Sequence, residues 1–355
     1  MCLNINRIIL SLLIYVFISP VYAEQKLIFA IDIVRHGDRT PTVIIPKDRY
    51  NWPNGPGELT PLGMQQEYML GGNLRKLYVY KYKLLPKHYD SQVMYVYSSD
   101  FDRTLMSAQS LLLGLYPLTT GPRIKDKNPA LPQLFQPIPI HTTSNIESKL
   151  LVPEANQPEY DEMIKKYTIT TGAWQNLSTQ NQINFQKWSA KTGLTINSLN
   201  QLIPLSDNLY IRYKNDIPVP TGISNQDRDQ IIKLGQWAQI SIFKTPEVSY
   251  YSSINLRQVI INYLYNATIS SSKLKYVLFL AHDSTIMAFM NSIDNQLDAI
   301  PPYASDLKIL LFSVGNKKYG IKLEYNGKHI LLPWCKNTDC SLDQFITILD
   351  KPLKH

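Results

Sequence analysis

The sequence predicts an α/β protein: a mostly parallel central sheet flanked by helices, with a mainly α-helical cap inserted into it. Three observations predict this. Apolar runs rich in β-branched or aromatic residues at 27–34, 93–97 and 276–281 are too short for ordinary helices and read as strands. Each run hands over to a polar cluster and then to helical spacing, the order of a strand–loop–helix unit. Between the second and third units, from 124 to 246, strand-like runs are scarce and polar stretches alternate with isolated aromatics, which reads as a helical insertion. The chain therefore divides into a leader at 1–23, a first core segment at 24–123, the cap at 124–246 and a second core segment at 247–355.

The leader carries one charge, Arg7, followed by an apolar stretch from Ile8 to Ile18 and then Val21-Tyr22-Ala23. That is the pattern of an export signal cleaved after Ala23, and the apolar stretch is too short to span a bilayer. The expected destination is the periplasm or the exterior, with no stable membrane anchor after cleavage. The net charge of +8 falls to +7 without Arg7, and only 18% of residues are charged. No basic tract stands out, so a nucleic acid partner is not expected, whereas a general pull on anionic substrates is. Cys335 and Cys340 remain after the leader. In an oxidising compartment such a pair is a candidate disulfide closing a small loop, worth about 2 kcal/mol by loop entropy.

The first strand, Leu27 to Val34, delivers Arg35-His36-Gly37-Asp38-Arg39-Thr40-Pro41. Its run without polar alternation suits a strand buried on both faces, and open α/β sheets bind ligands at the C-terminal ends of such strands. Two guanidiniums beside an imidazole make a site for a dianion with a nucleophile inside it. Gly37 is read as allowing a sharp turn, and Pro41 as stiffening the exit. A Pro/Gly-rich loop from Pro46 to Gly57 follows. Thr60-Pro61 then opens a helix, with Thr as N-cap and Pro in the first turn. Leu62, Met69, Leu70, Leu74, Leu77 and Tyr78 recur at helical spacing as its apolar face.

The second strand, Val93 to Tyr97, ends in Ser98-Ser99-Asp100, suited to cap a helix starting near Phe101. Arg103 then lies in the first helical turn, a second anion-attracting feature at a strand end. In the cap, Trp174, Trp188 and Trp237 are expected in its core rather than around a pocket. A helix from Ser252 to Ala267 returns to the sheet. The third strand, Tyr276 to Ala281, ends in His282-Asp283-Ser284-Thr285 and leads into a helix. Ile309–Val314 and Tyr319–Tyr325 form a closing hairpin. Parallel strands would bring the three polar clusters together.

With RHGDRTP, SSDFDRT and AHDST in this order and separation, the chain resembles the histidine acid phosphatases, the acid phosphatase and phytase branch of the histidine phosphatase superfamily. The resemblance is anchored from Leu27 to Ser284, and the Cys335/Cys340 pair also resembles a family disulfide. It implies an exported enzyme without a metal or other cofactor. His36 would be the nucleophile that becomes phosphohistidine, and Asp283 the proton donor to the leaving alcohol. Arg35, Arg39, Arg103 and His282 would bind the phosphate. Phytases of the family usually read HDTN at the last motif. This chain reads HDST, closer to the broad acid phosphatases. Small phosphomonoesters are then the expected substrates, with the physiological one open and a homodimer left open.

Asp38 is read as orienting Arg39 or a histidine, without a chemical role of its own. His88, His141 and His329 have no motif around them and are expected to be surface or structural. Asn176 and Asn266 lie in glycosylation patterns whose meaning depends on the source. A metal-dependent phosphatase could draw ligands from His36, Asp38, Asp100, Asp102, His282 and Asp283. The arginines in the same loops would repel a cation, and no close ligand cluster is visible. A non-catalytic anion-binding module would not need a nucleophile and an acid. No GxxxxGK is present, which excludes a P-loop enzyme.

Overall fold

The computed structural model describes residues 25–353 except 126, 145–148, 153–157 and 336–339. The leader at 1–23 lies outside the described residues. Among the described residues no helix is long and apolar enough to cross a membrane.

The sheet runs β2-β3-β1-β4-β5-β6 in space. Strands β1 (Lys26–Arg35), β2 (Met94–Ser98) and β3 (Tyr276–Ala281) are parallel, with β3 between the other two. On the far side of β1, strands β4 (Asp306–Ser313), β5 (Tyr319–Tyr325) and β6 (Lys328–Ile330) pair antiparallel, and the two-residue β7 (Cys340–Ser341) joins β5. The sheet is thus mixed rather than mostly parallel. The three strands that carry the polar motifs form its parallel part, while the closing hairpin adds an antiparallel half. Crossover helices impose parallel pairing only where they occur, and the chain after β4 returns by short turns.

Alternate residues of β1 serve two cores. Phe29, Ile31 and Ile33 pack with α8 (Pro246–Ala267), α9 (Asp283–Ser292) and α10 (Leu342–Asp350). Ala30 and Val34 pack under α1 (Pro61–Arg75) and α2 (Asp102–Leu115) on the opposite face. Such two-faced burial is why the strand reads as a continuous apolar run. Its one interior carboxyl, Asp32, accepts hydrogen bonds from the Tyr78 and Tyr276 phenols at 2.6 and 2.9 Å. These tie β1 to the π-helical turn Lys76–Lys81 that follows α1 and to β3. Burial first, then Asp306, pushes the Asp32 carboxyl well above its ordinary range.

Helix α1 begins as expected: the Thr60 hydroxyl accepts from the Gly63 amide at 3.1 Å, and Pro61 follows. Of the expected apolar face, Leu74 and Tyr78 are buried and Leu70 and Leu77 pack against the core, but the other two members do not follow. Gly63, Glu67, Gly71 and Leu74 face inward, whereas Leu62 is 46% and Met69 62% exposed. The reason is backbone contact: a Cβ at Gly71 would come within 1.9 Å of the Leu111 carbonyl oxygen of α2. Close helix packing selected the glycine side and left two large apolar residues outside. Helix α2 also departs from expectation. It starts at Asp102, so its N-cap is Phe101, which offers no side-chain cap, and Ser99 lies against Thr104 and His282.

After α2 the described residues from 116 to 152 are mostly irregular apart from a 3₁₀ turn at Pro132–Leu134, and among the described residues α-helix resumes at Pro158. Helices α3 (Pro158–Ile164), α4 (Gly172–Gln180), α5 (Gln182–Thr192), α6 (Leu199–Lys214) and α7 (Asn225–Lys244) follow, then α8. They share a core of their own, which includes fully buried Trp174 and Trp188 and half-buried Trp237. That core reaches Ile45 of the first loop and Met287 and Ala288 of α9. The Asn208 amide donates to the Val43 carbonyl at 2.9 Å, and Arg212 pairs with Asp48, fastening α6 to the loop after β1. A disulfide joins Cys335 and Cys340 beside β5.

Candidate active site

Register places the strand ends side by side: Arg35 is opposite Ala281, and Ser98 is opposite Leu280. Each next residue therefore enters one hollow, with His36 after β1, Ser99 after β2 and His282 after β3. The backbone closes the arrangement, since the His36 amide donates to the Ala281 carbonyl at 3.1 Å and the Ser99 amide to Leu280 at 3.1 Å.

The loop after β1 lies against the starts of α1 and α2. A Cβ on Gly37 would sit 2.4 Å from the Gly63 carbonyl oxygen, so close approach, rather than a left-handed turn, requires glycine there. The Gly37 amide donates to the Ser107 hydroxyl of α2 at 3.1 Å. Asp38 accepts from the Thr60 hydroxyl at 2.6 Å, and its amide donates to Gln66 at 2.8 Å. Asp38 thus fixes the loop to the helix start instead of orienting a histidine or Arg39.

His36 is almost wholly buried. Its Nδ1 lies 2.8 Å from the Gly37 carbonyl oxygen. A carbonyl can only accept, so in the neutral ring Nδ1 carries the hydrogen and Nε2 holds the lone pair. Burial, then Arg103, Arg35 and Arg39, push the imidazole well below its ordinary pKa. The ring of His282 is 5.5 Å from that of His36, centroid to centroid, and meets it edge-on. Burial and Arg103 push His282 down as well. Its Nε2 is 2.9 Å from the Ser99 hydroxyl, which also lies 2.9 Å from the Thr104 hydroxyl. Phe101 packs against the His282 ring, and the Arg103 guanidinium stacks 4.2 Å over Phe101.

Asp283 is the first residue of α9, where a carboxylate complements the helix dipole. Its Oδ2 is 2.9 Å from Arg35 Nη2, and its Oδ1 accepts from the Ser284 amide at 2.8 Å. Burial alone would raise this carboxyl. Arg35, then Arg39 and His282, outweigh burial and hold it below the usual carboxylate range. Arg35 also donates to the Pro301 carbonyl and stacks 4.2 Å over the Tyr303 ring. The Nε atoms of Arg35 and Arg39 are buried without a hydrogen-bond partner. Unpaired buried donors are costly, and a bound oxyanion would satisfy them.

All six residues singled out in the sequence, Arg35, His36, Arg39, Arg103, His282 and Asp283, thus surround one hollow. The other described histidines do not. His88 faces the Thr120 carbonyl, His141 stacks on Tyr95, and His329 lies beside Glu324. Asp100 and Asp102 are exposed, and among the described residues no group of three or more His, Cys, Asp or Glu could hold a metal ion. Three contributors carry little or no signal in the sequence. Ser99 reads as a helix cap, Tyr303 follows two prolines in a loop, and Asp207 sits inside α6 with no motif around it.

A family model described as histidine phosphatase superfamily (branch 2) matches residues 26–326. The chain belongs to this superfamily. Lysosomal acid phosphatase of Rattus norvegicus is 30% identical over 347 residues, which cover 94% of this chain and 79% of that protein. Prostatic acid phosphatase of Homo sapiens is 29% identical over 367 residues, covering 95% and 88%. Among solved structures, the phytase of Klebsiella sp. ASR1 superposes with a TM-score of 0.67 at 15% identity, covering 92% of this chain and 95% of that one. The phytase of Citrobacter braakii gives 0.63 at 16%, covering 91% and 97%. At such identities these two likenesses speak for the fold alone. Histidine phosphatase membership accords with a hollow in which two histidines and three arginines meet.

Proposed function

We propose that this protein is an acid phosphatase that hydrolyses phosphate monoesters through a phosphohistidine on His36. The observation that carries the reading is the buried His36 ring, held with Nδ1 toward the Gly37 carbonyl and surrounded by guanidiniums. A neutral imidazole is not repelled by a phosphate monoester, and the cations keep it neutral in acid, where an ordinary histidine would be protonated.

Arg35, Arg39 and Arg103 bind the non-bridging oxygens, with His282 as a further contact, and orient phosphorus for in-line attack. His36 Nε2 forms the bond to phosphorus as the bond to the leaving oxygen breaks. That oxygen takes a proton from Asp283. Water then attacks the phosphohistidine, gives a proton to the Asp283 carboxylate, and releases phosphate and neutral His36. Because Arg35 holds Asp283 ionised in the free enzyme, the first proton arrives with the substrate as its monoanion. Phosphomonoesters lose their second proton near pH 6, so the usable form is the acid one (second pKa about 6).

The cleft beside the hollow, about 500 Å³, is lined by Arg35 and Asp283 on the core side and by Asp207, Tyr210, Lys214 and Gln236 among others from the cap. Arg35 and Lys214 are its two cations, against the carboxylates of Asp207, Asp283 and Asp298. That balance supports broad monoester hydrolysis over a preference for a heavily phosphorylated substrate such as phytate. The Cys335–Cys340 disulfide supports an exported protein, in line with the leader. The test is a panel of phosphomonoesters assayed at pH 5 and pH 7 with and without chelator. The reading expects faster release of phosphate at pH 5 and no effect of chelator. No hydrolysis of any monoester would overturn it.

A further inference from the structure

We propose that Asp207, from cap helix α6, is a positioning residue that sets which edge of Arg39 meets phosphate. The inference rests on Arg39 being a phosphate ligand. The Asp207 carboxylate grips the end of the guanidinium with both oxygens: Nη1 to Oδ2 at 2.8 Å and Nη2 to Oδ1 at 3.1 Å. Nη1 also donates to the Thr40 carbonyl at 3.1 Å, which uses its second hydrogen. The end edge of Arg39 is therefore fully engaged. What remains for an anion is the side edge, made of Nε and the second hydrogen of Nη2. Nε is buried and has no partner.

A guanidinium has only these two forked edges, and each matches one oxyanion. Asp207 takes one and so commits the other. Arg39 is nearly buried, so the pair is held in a medium where a charge-assisted bond counts for more than in water. Burial would lower the Arg39 pKa, but Asp207 more than offsets this and keeps the side chain charged.

The grip also connects two parts of the fold. Asp207 lines the cleft beside Tyr210 and Lys214 of the same helix. One helix thereby carries both a wall of the leaving-group cleft and the clamp on a phosphate ligand. Its seat on the loop after β1, through Asn208 and Arg212, fixes the height of the clamp.

The test is a double-mutant cycle read with inorganic phosphate as competitive inhibitor. In Asp207→Asn the amide NH₂ faces Nη1 or Nη2, one charge-assisted bond is lost and the guanidinium swings. The Ki for phosphate and the KM should rise about tenfold, while kcat changes less. In the Arg39→Ala background, Asp207→Asn should cause no further loss, because there is no guanidinium left to aim. Equal losses in both backgrounds, or no loss beside an intact Arg39, would overturn the proposal. Should the Asn variant not fold, Asp207→Glu in the same two backgrounds gives the same comparison, since the longer side chain displaces the guanidinium. Absence of turnover by the unmodified protein would instead refute the phosphatase reading beneath it.

Discussion

Arg35 and Asp283 form an ion pair of 2.9 Å at the floor of the hollow, and both side chains are largely buried. The pair joins a proposed phosphate ligand to the proposed proton donor, and it leaves Arg35 Nε for the substrate. It also fixes the proton inventory of the free enzyme.

The sign follows directly. A carboxyl held below its ordinary pKa of about 3.9 is ionised throughout the pH range of an acid phosphatase. It cannot be the group whose deprotonation ends activity as pH rises. The substrate monoanion brings the proton, so kcat/KM should fall with the second pKa of the substrate. Esters with more acidic phosphates should lose activity at lower pH. A falling limb at one pH for all substrates would show that a group of the enzyme sets it.

Replacement of Asp283 by Asn removes the proton carrier but not the arginine cradle. For alkyl phosphates, kcat should drop by about 10²–10⁴-fold. With p-nitrophenyl phosphate the leaving oxygen needs no proton, and the loss should be much smaller. Equal losses on both substrates would remove the donor role.

His36 owes its low pKa first to burial and then to Arg103. In Arg103→Ala one cation is gone and protonation becomes easier, so the acid limb of kcat/KM should move upward toward about 6.5. An unmoved acid limb would mean that Arg103 does not act on His36.

The three strand-end motifs were legible because a strand buried on both faces admits few polar residues, so Arg35, His36, Ser99 and His282 mark where the apolar runs end although they are themselves buried. Parallel pairing then brings the ends together. Local pattern alone could not reveal Asp207, which reaches Arg39 from 168 residues away. Helical spacing found Leu74 and Tyr78 on the inward side but not Gly71, which contact with the Leu111 carbonyl set there while Met69 stayed outside. The cap expected at Ser98-Ser99-Asp100 did not form there because the helix starts at Asp102, which puts Phe101 in the cap position; Ser99 lies against Thr104 and His282.

Gly37 shows how finely the loop is seated. In Gly37→Ala the new methyl would meet the Gly63 backbone, and the loop would have to move with His36 on it. A shift of about 1 Å in a reacting group costs on the order of 10² in rate. The expected outcome is a drop of that size in kcat with the protein still folded, checked by thermal unfolding. Wild-type kcat would mean that the backbone has room to yield.

The covalent intermediate can be sought directly. Rapid acid-free quenching of the enzyme with a labelled phosphomonoester, followed by peptide mapping, should find base-stable, acid-labile phosphate on the peptide that contains His36, and none in His36→Ala. Phosphate on another residue, or turnover that persists in His36→Ala, would contradict the assignment of His36 as nucleophile.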